Sequence, residues 1–176
     1  MRGRSYFLIL LFAIWVAYIY TQEQEIALDT STPILLFDGV CNLCNGFVNF
    51  IIEVDSYEVF QFAALQSTTG GKILEKYGIP NDLKSMVLID NNQAYTQSTA
   101  AIHVFKRLPM PFRMGYHIGS LFPRYIRDLV YTSVAENRYA IFGSSDECRA
   151  PTPELQARFL DDTFNVQCLE ETQNKK

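Results

Sequence analysis

The apolar run Ile34 to Phe37, followed at once by Asp38-Gly39-Val40-Cys41-Asn42-Leu43-Cys44, constrains the fold of this 176-residue chain more than any other stretch. Four consecutive apolar residues are the pattern of a strand covered on both faces, and Gly39 permits the sharp turn that follows. From Cys41 to Val54 the spacing becomes helical, with Leu43, Phe47, Phe50, Ile51 and Val54 on one side. Two cysteines therefore stand where a buried strand turns into a helix. At a helix N-terminus the unpaired N–H groups and the positive dipole end favour a thiolate, which makes Cys41 the expected attacking sulfur. Cys44, one turn on, is placed to resolve a mixed disulfide on Cys41 by closing an intramolecular one.

A CxxC pair is equally the first half of a zinc site, so the rest of the chain has to arbitrate. Cys148 and Cys168 stand far apart, and neither His103 nor His117 lies at ligand spacing to a second cysteine or acid. Tetrahedral sites normally show two paired ligand knuckles, so neither a metal nor a cofactor is expected. Covalent haem would need CxxCH, and position 45 is Asn.

Beyond the cysteines, a second strand is read at Val59 to Ala64. Ser67 then caps a helix that ends at Gly78. Met86 to Ile89, the turn Asp90-Asn91-Asn92-Gln93 and Ala94 to Thr96 form an antiparallel hairpin, because Asn tolerates the left-handed backbone a tight turn needs. Ser98 is expected to cap a helix running to Arg107, Met110 to Phe122 to be irregular, and Pro123 to open a long helix ending at Gly143. In that helix Ile126, Leu129, Val130, Val134 and Ile141 make one stripe, read as core packing. Arg124, Arg127 and Arg138 are expected to be solvated or to pair with neighbours such as Asp128.

The segments DGVCNLCNG, FVNFII, FAALQS, STAA (98–101), ENRYAIFG (136–143) and PELQARFL (153–160), taken in order, resemble the DCC family of predicted thiol-disulfide oxidoreductases. The family's signature Asp and two Cys are matched by Asp38, Cys41 and Cys44, and the resemblance spans about residues 33 to 160. It implies an α/β fold: a thioredoxin-like sheet with flanking helices and a helical C-terminal extension. Thioredoxins place a cis-proline directly before the hairpin strand, packed on the cysteine pair; here the nearest proline is Pro80, so either a loop presents Pro80 or Ser85 fills the place. Thioredoxins also keep a buried acid beneath the cysteines as proton acceptor. Asp38 is read either in that role or as an Asx-turn cap accepting backbone N–H groups. Cys148 and Cys168 are assigned no catalytic part.

The N-terminus reads separately, as an apolar helix preceding the domain. Residues 5–22 carry no charge, and as a helix they would reach about 27 Å, close to the hydrocarbon thickness of a bilayer. Arg2 and Arg4 precede the run, and Ala17-Tyr18-Ile19-Tyr20 lacks the small residues of a signal cleavage site. An uncleaved single-span membrane anchor is favoured, with the domain outside the cytoplasm by the positive-inside rule. A soluble cytoplasmic protein is the alternative if the segment comes from a misassigned start. The organisation expected is an anchor or signal and linker at 1–30, a thioredoxin-like domain at 31–168 and a polar tail at 169–176.

The net charge of −4 calls for no nucleic-acid partner. The expected activity is thiol–disulfide exchange of the protein-disulfide reductase type, with a disulfide-containing protein or a small-molecule thiol as substrate. A non-catalytic, membrane-tethered binding module whose CxxC is structural or metal-binding is the competing class.

Overall fold

Ile34–Phe37 forms a strand, β1, with every side chain buried, and its alternation builds two cores at once. Successive strand residues point to opposite faces. Leu35 and Phe37 therefore enter one apolar cluster, while Ile34 and Leu36 enter another on the far side of the sheet. This is why the run shows no polar alternation: both faces are roofed. The computed structural model describes residues 12–14, 32–82, 85–144 and 156–160.

The elements after β1 are helix α1 (Asn42–Val54), β2 (Gln61–Ala64), α2 (Thr68–Lys76), β3 (Val87–Asp90), β4 (Gln93–Thr96), α3 (Gln97–Arg107), α4 (Met114–Ser120) and α5 (Arg124–Phe142). The sheet order is β2-β1-β3-β4. β2 runs parallel to β1, and β3 and β4 are antiparallel to their neighbours. Val48 and Ile51 of α1 and Ala100 and Val104 of α3 close one face over Leu35, Phe62 and Leu88; Ile73 and Leu74 of α2 close the other. A mixed α/β domain with a four-stranded sheet and helices on both faces results, an arrangement that fits a thioredoxin-like fold.

Local signals account for most boundaries. Ser67 accepts the Gly70 N–H as N-cap of α2, and Gly78 follows that helix at a φ of 63°. Asn91 and Asn92, at φ of 48° and 60°, make the two-residue turn of the β3–β4 hairpin. Several expectations change. The second strand begins at Gln61 rather than Val59, and β3 covers Val87–Asp90 rather than Met86–Ile89. Thr96, not Ser98, is the N-cap of α3, and the Ser98 hydroxyl instead donates to Asp128 of α5. The stretch expected to be irregular contains α4. The apolar stripe of α5 faces outward: Leu129 is 69% exposed, and Ile126, Val130, Val134 and Ile141 are also exposed. Tyr125, at 74%, is exposed beside them, as is Leu121, at 80%, just ahead of the helix. Its buried side carries Arg138 instead.

Past α5, residues 156–160 lie along the free edge of β2. The Phe62 N–H donates to the Arg158 carbonyl at 2.8 Å and the Leu160 N–H to the Phe62 carbonyl at 2.9 Å. Arg158 is buried, paired with the buried carboxylate of Asp55 at the end of α1, and donates to the Phe60 carbonyl at 3.1 Å. This covers a strand edge that would otherwise offer unpaired backbone groups. Within the uncharged N-terminal run, only Phe12 to Ile14 are among the described residues, and Cys148, Cys168 and the tail from 169 lie outside them. Among the described residues no helix is long and apolar enough to cross a membrane.

Removing one partner of a buried ion pair strands the other charge, which costs about 3–5 kcal/mol. Arg158→Leu is therefore expected to destabilise the protein to urea by about that amount and to remove amide-exchange protection at Phe62 and Leu160 before the rest of the sheet. Protection unchanged at those two amides would show that the edge segment does not depend on Arg158.

Candidate active site

Cys41 occupies the N-cap position of α1, with an extended backbone, and its Sγ accepts the Cys44 N–H at 3.4 Å. The turn before it is held from several sides. The Val40 N–H donates to Asp38 Oδ1 at 3.2 Å, the Asx-turn geometry anticipated for this residue. Asn45 Nδ2 donates to the Gly39 carbonyl at 2.8 Å, and the Gly39 N–H to Gln66 Oε1 at 3.2 Å. Both cysteines are free thiols.

The two sulfurs differ in access. Cys41 is fully buried, whereas Cys44 is partly exposed. What covers Cys41 is the C-terminal end of α5: Ser144 forms an antiparallel bridge with it, the Asn42 N–H donates to the Gly143 carbonyl at 3.4 Å, and Asn42 Nδ2 to the Phe142 carbonyl at 2.9 Å. The Cys44 thiol is pushed up to about 12, first by burial, then by its hydrogen bond with Cys41 and the charges of Cys41 and Asp38.

Asp38, 2% exposed, is the most heavily bonded side chain of the site. Arg138 Nη2 pairs with its Oδ2 at 2.9 Å and the Tyr139 hydroxyl donates to the same oxygen, while Gln66 Nε2 donates to Oδ1 at 2.6 Å. Burial by itself would raise this carboxyl. The bonds from Tyr139, Arg138, Gln66 and the Val40 N–H outweigh it and hold the group below its usual range. Asp38 is thus an ionised hub. The guanidinium is raised in turn by Asp38 and Tyr139 despite burial, and lies over the Tyr139 ring at 4.4 Å.

A cavity of about 200 Å³ opens beside Cys44, between α1, α3 and α5, with Asp38 and Arg138 at its wall. Ser85 and Met86, just ahead of β3, line it too; Pro80 does not, lining a separate cavity beneath Thr96 and Gln97. Ser85 lines both cavities. The Met86 N–H donates to the Tyr131 hydroxyl at 3.1 Å. Among the described residues no three His, Cys, Asp or Glu side chains cluster closely enough to hold a metal ion.

Reading the sequence alone brought together Asp38, Cys41 and Cys44, and the structure places all three at one turn. It missed Gln66, Tyr131, Arg138 and Tyr139. Gln66 lies in the FAALQS segment, and Arg138 and Tyr139 in ENRYAIFG, so the signal was present in the ordered motifs although no local rule connects residues a hundred positions apart.

A dithiol at the strand-to-helix turn of a mixed α/β domain defines a class of redox protein, and the comparisons agree. The model of the DCC1-like thiol-disulfide oxidoreductase family matches residues 35–144. A protein of Bacillus subtilis (strain 168), the uncharacterised YuxK, is 48% identical over 128 residues, covering 72% of this chain and 93% of that protein. A chloroplastic DCC family protein of Arabidopsis thaliana is 44% identical over 121 residues, covering 68% of this chain and 70% of its own length. No solved structure matches significantly. The chain belongs to the DCC1-like thiol-disulfide oxidoreductase family, which gives it a general thiol–disulfide redox function.

The lowered Asp38 carboxyl stabilises the fold fully at neutral pH, and that contribution fades as pH falls through its value below the ordinary 3.8. Arg138→Met is expected to cost about 3 kcal/mol in urea unfolding at pH 7. The cost should shrink as pH falls through the lowered Asp38 value, where the wild type also loses the ion pair. A cost independent of pH would mean that Arg138 stabilises through packing rather than through Asp38.

Proposed function

We propose that the protein is a disulfide reductase in which Cys41 is the nucleophile, Cys44 the resolving thiol and Asp38 a positioning residue. The observation that carries this reading is the Cys44 N–H on Cys41 Sγ at the start of α1, with the second thiol one turn away. A backbone donor aimed at sulfur stabilises its anion. Cys44, by contrast, is pushed up to about 12 and stays a thiol at neutral pH, so it is poorly suited to the first attack.

In the cycle, the Cys41 thiolate attacks one sulfur of R–S–S–R′, forming Cys41–S–S–R and releasing R′S⁻. Cys44 then loses its proton and attacks the Cys41 sulfur, expelling RS⁻ and leaving the Cys41–Cys44 disulfide. Two electrons pass from the dithiol to the substrate, and two protons complete RSH and R′SH. An external dithiol or thiol pair restores the reduced enzyme. Substrate has to displace the Gly143–Ser144 backbone that covers Cys41.

Asp38, already ionised and fully bonded, serves by holding charge and position rather than by accepting a proton. Its negative charge helps keep Cys44 protonated until the mixed disulfide has formed. The thioredoxin-like classification, with α4 and α5 as its helical extension, and the placement of the domain at a membrane by residues 5–22 accompany this proposal; the second rests on sequence alone.

Cys44→Ser is expected to trap mixed disulfides on Cys41, seen by mass spectrometry of the labelled peptide, and redox titration should show a two-electron couple confined to Cys41 and Cys44. Adducts that require Cys44 and survive Cys41→Ser would reverse the assignment. For Asp38, removal of its charge in Asp38→Asn should move Cys44 alkylation to lower pH, and Asp38→Glu should restore it toward the wild-type profile. An unmoved profile in Asp38→Asn would reduce Asp38 to a cap of the turn.

A further inference from the structure

The cavity beside Cys44 has a composition that the exchange reaction does not require. Leu43 and Phe47 of α1, Met86, Ala101 of α3, and Val134 and Ala135 of α5 form its walls. Its two charged groups, Asp38 and Arg138, are committed to each other. At about 200 Å³ it exceeds the roughly 150 Å³ at which an apolar protein cavity already accepts benzene. Room for a compact hydrocarbon group therefore exists next to the resolving sulfur.

The same surroundings disfavour an extended polypeptide. Binding a peptide by strand addition needs free backbone donors and acceptors. The Met86 N–H, the donor just ahead of β3 on the cysteine side, is already held by the Tyr131 hydroxyl, and α5 lies across this face. We propose that the cavity is a substrate subsite, and that the protein exchanges low-molecular-weight disulfides bearing a compact alkyl or aryl group, which seats between Ala101 and Ala135 beside Cys44. This rests on the reductase reading above. A group R seated there places the attached disulfide beside Cys44, whose N–H is bonded to Cys41 Sγ.

Two measurements on the full chain separate this inference from the reading it builds on. The first uses butyl methyl sulfide, a thioether that cannot exchange, and follows alanine methyl groups by NMR. Saturable shifts confined to Ala101 and Ala135 are expected, lost in Ala135→Phe and in a second filling variant, Ala101→Leu. The second compares diethyl with dibutyl disulfide, with dithiothreitol as reductant. Apolar burial is worth roughly a factor of four per methylene, so kcat/KM should rise about tenfold or more across this pair. The ratio should fall toward one in whichever filling variant stays folded. Reduction of insulin should be far slower than that of dibutyl disulfide. No methyl shifts, a flat alkyl series, or insulin turnover that equals that of dibutyl disulfide would each overturn the subsite. If the Cys41–Cys44 couple is present in redox titration, such a result removes the subsite alone. If the couple itself is missing, the reductase reading falls.

Discussion

A buried carboxylate that has to stay charged organises this molecule. Asp38 sits out of water, where an isolated anion would neutralise itself or unfold its surroundings, and it is kept ionised by donors from three separate regions. Val40 comes from its own turn, Gln66 from the loop after β2, and Arg138 and Tyr139 from α5. Satisfying one charge thereby fixes the cysteine turn to the sheet on one side and α5 to the cysteine turn on the other. Further contacts of α5 run from Tyr131 to Met86, from Asp128 to Ser98, and from the 142–144 backbone to Asn42 and Cys41.

Much of the fold was legible because its signals are local. A four-residue apolar run, a Ser cap and a helix bounded by Pro123 and Gly143 each specify backbone within a few residues and stand where the sequence places them, while the hairpin turn tightens to Asn91-Asn92, with Asp90 and Gln93 paired in the strands. The failures share one cause. Periodicity reveals that α5 has two unlike faces, but not which one is buried; the apolar stripe of Ile126, Leu129 and Val130 faces outward, and Arg138, on the buried side, pairs with Asp38. Ser98 was misassigned for a related reason: its best acceptor is Asp128, thirty residues away, rather than its own helix. In the site, the CxxC and Asp38 could be found from one segment, whereas the groups that set their electrostatics come from distant ones.

The reach of the family match follows the same division. It ends at Ser144, the residue that bridges Cys41, so every group that touches Asp38 lies inside it. Arg158, which pairs with Asp55 and covers the edge of β2, lies beyond it. The dithiol and its carboxylate hub thus lie within the matched span, while the edge of the sheet is closed by the 156–160 segment that follows it.

The separation of 100 residues between Asp38 and Arg138, matched by 100 between Asn42 and Phe142 and 103 between Asp55 and Arg158, bears on how the protein is born. Chains emerge N-terminus first at about 5–20 residues per second, so Cys41 and Cys44 precede the helix that covers them by on the order of ten seconds. During that interval the sheet lacks the long-range closures whose cost must be met before they stabilise anything. The thiol pair meets its surroundings without counter-ion or cover. The redox poise of the place of synthesis, rather than that of the finished fold, therefore sets the oxidation state in which the nascent protein begins.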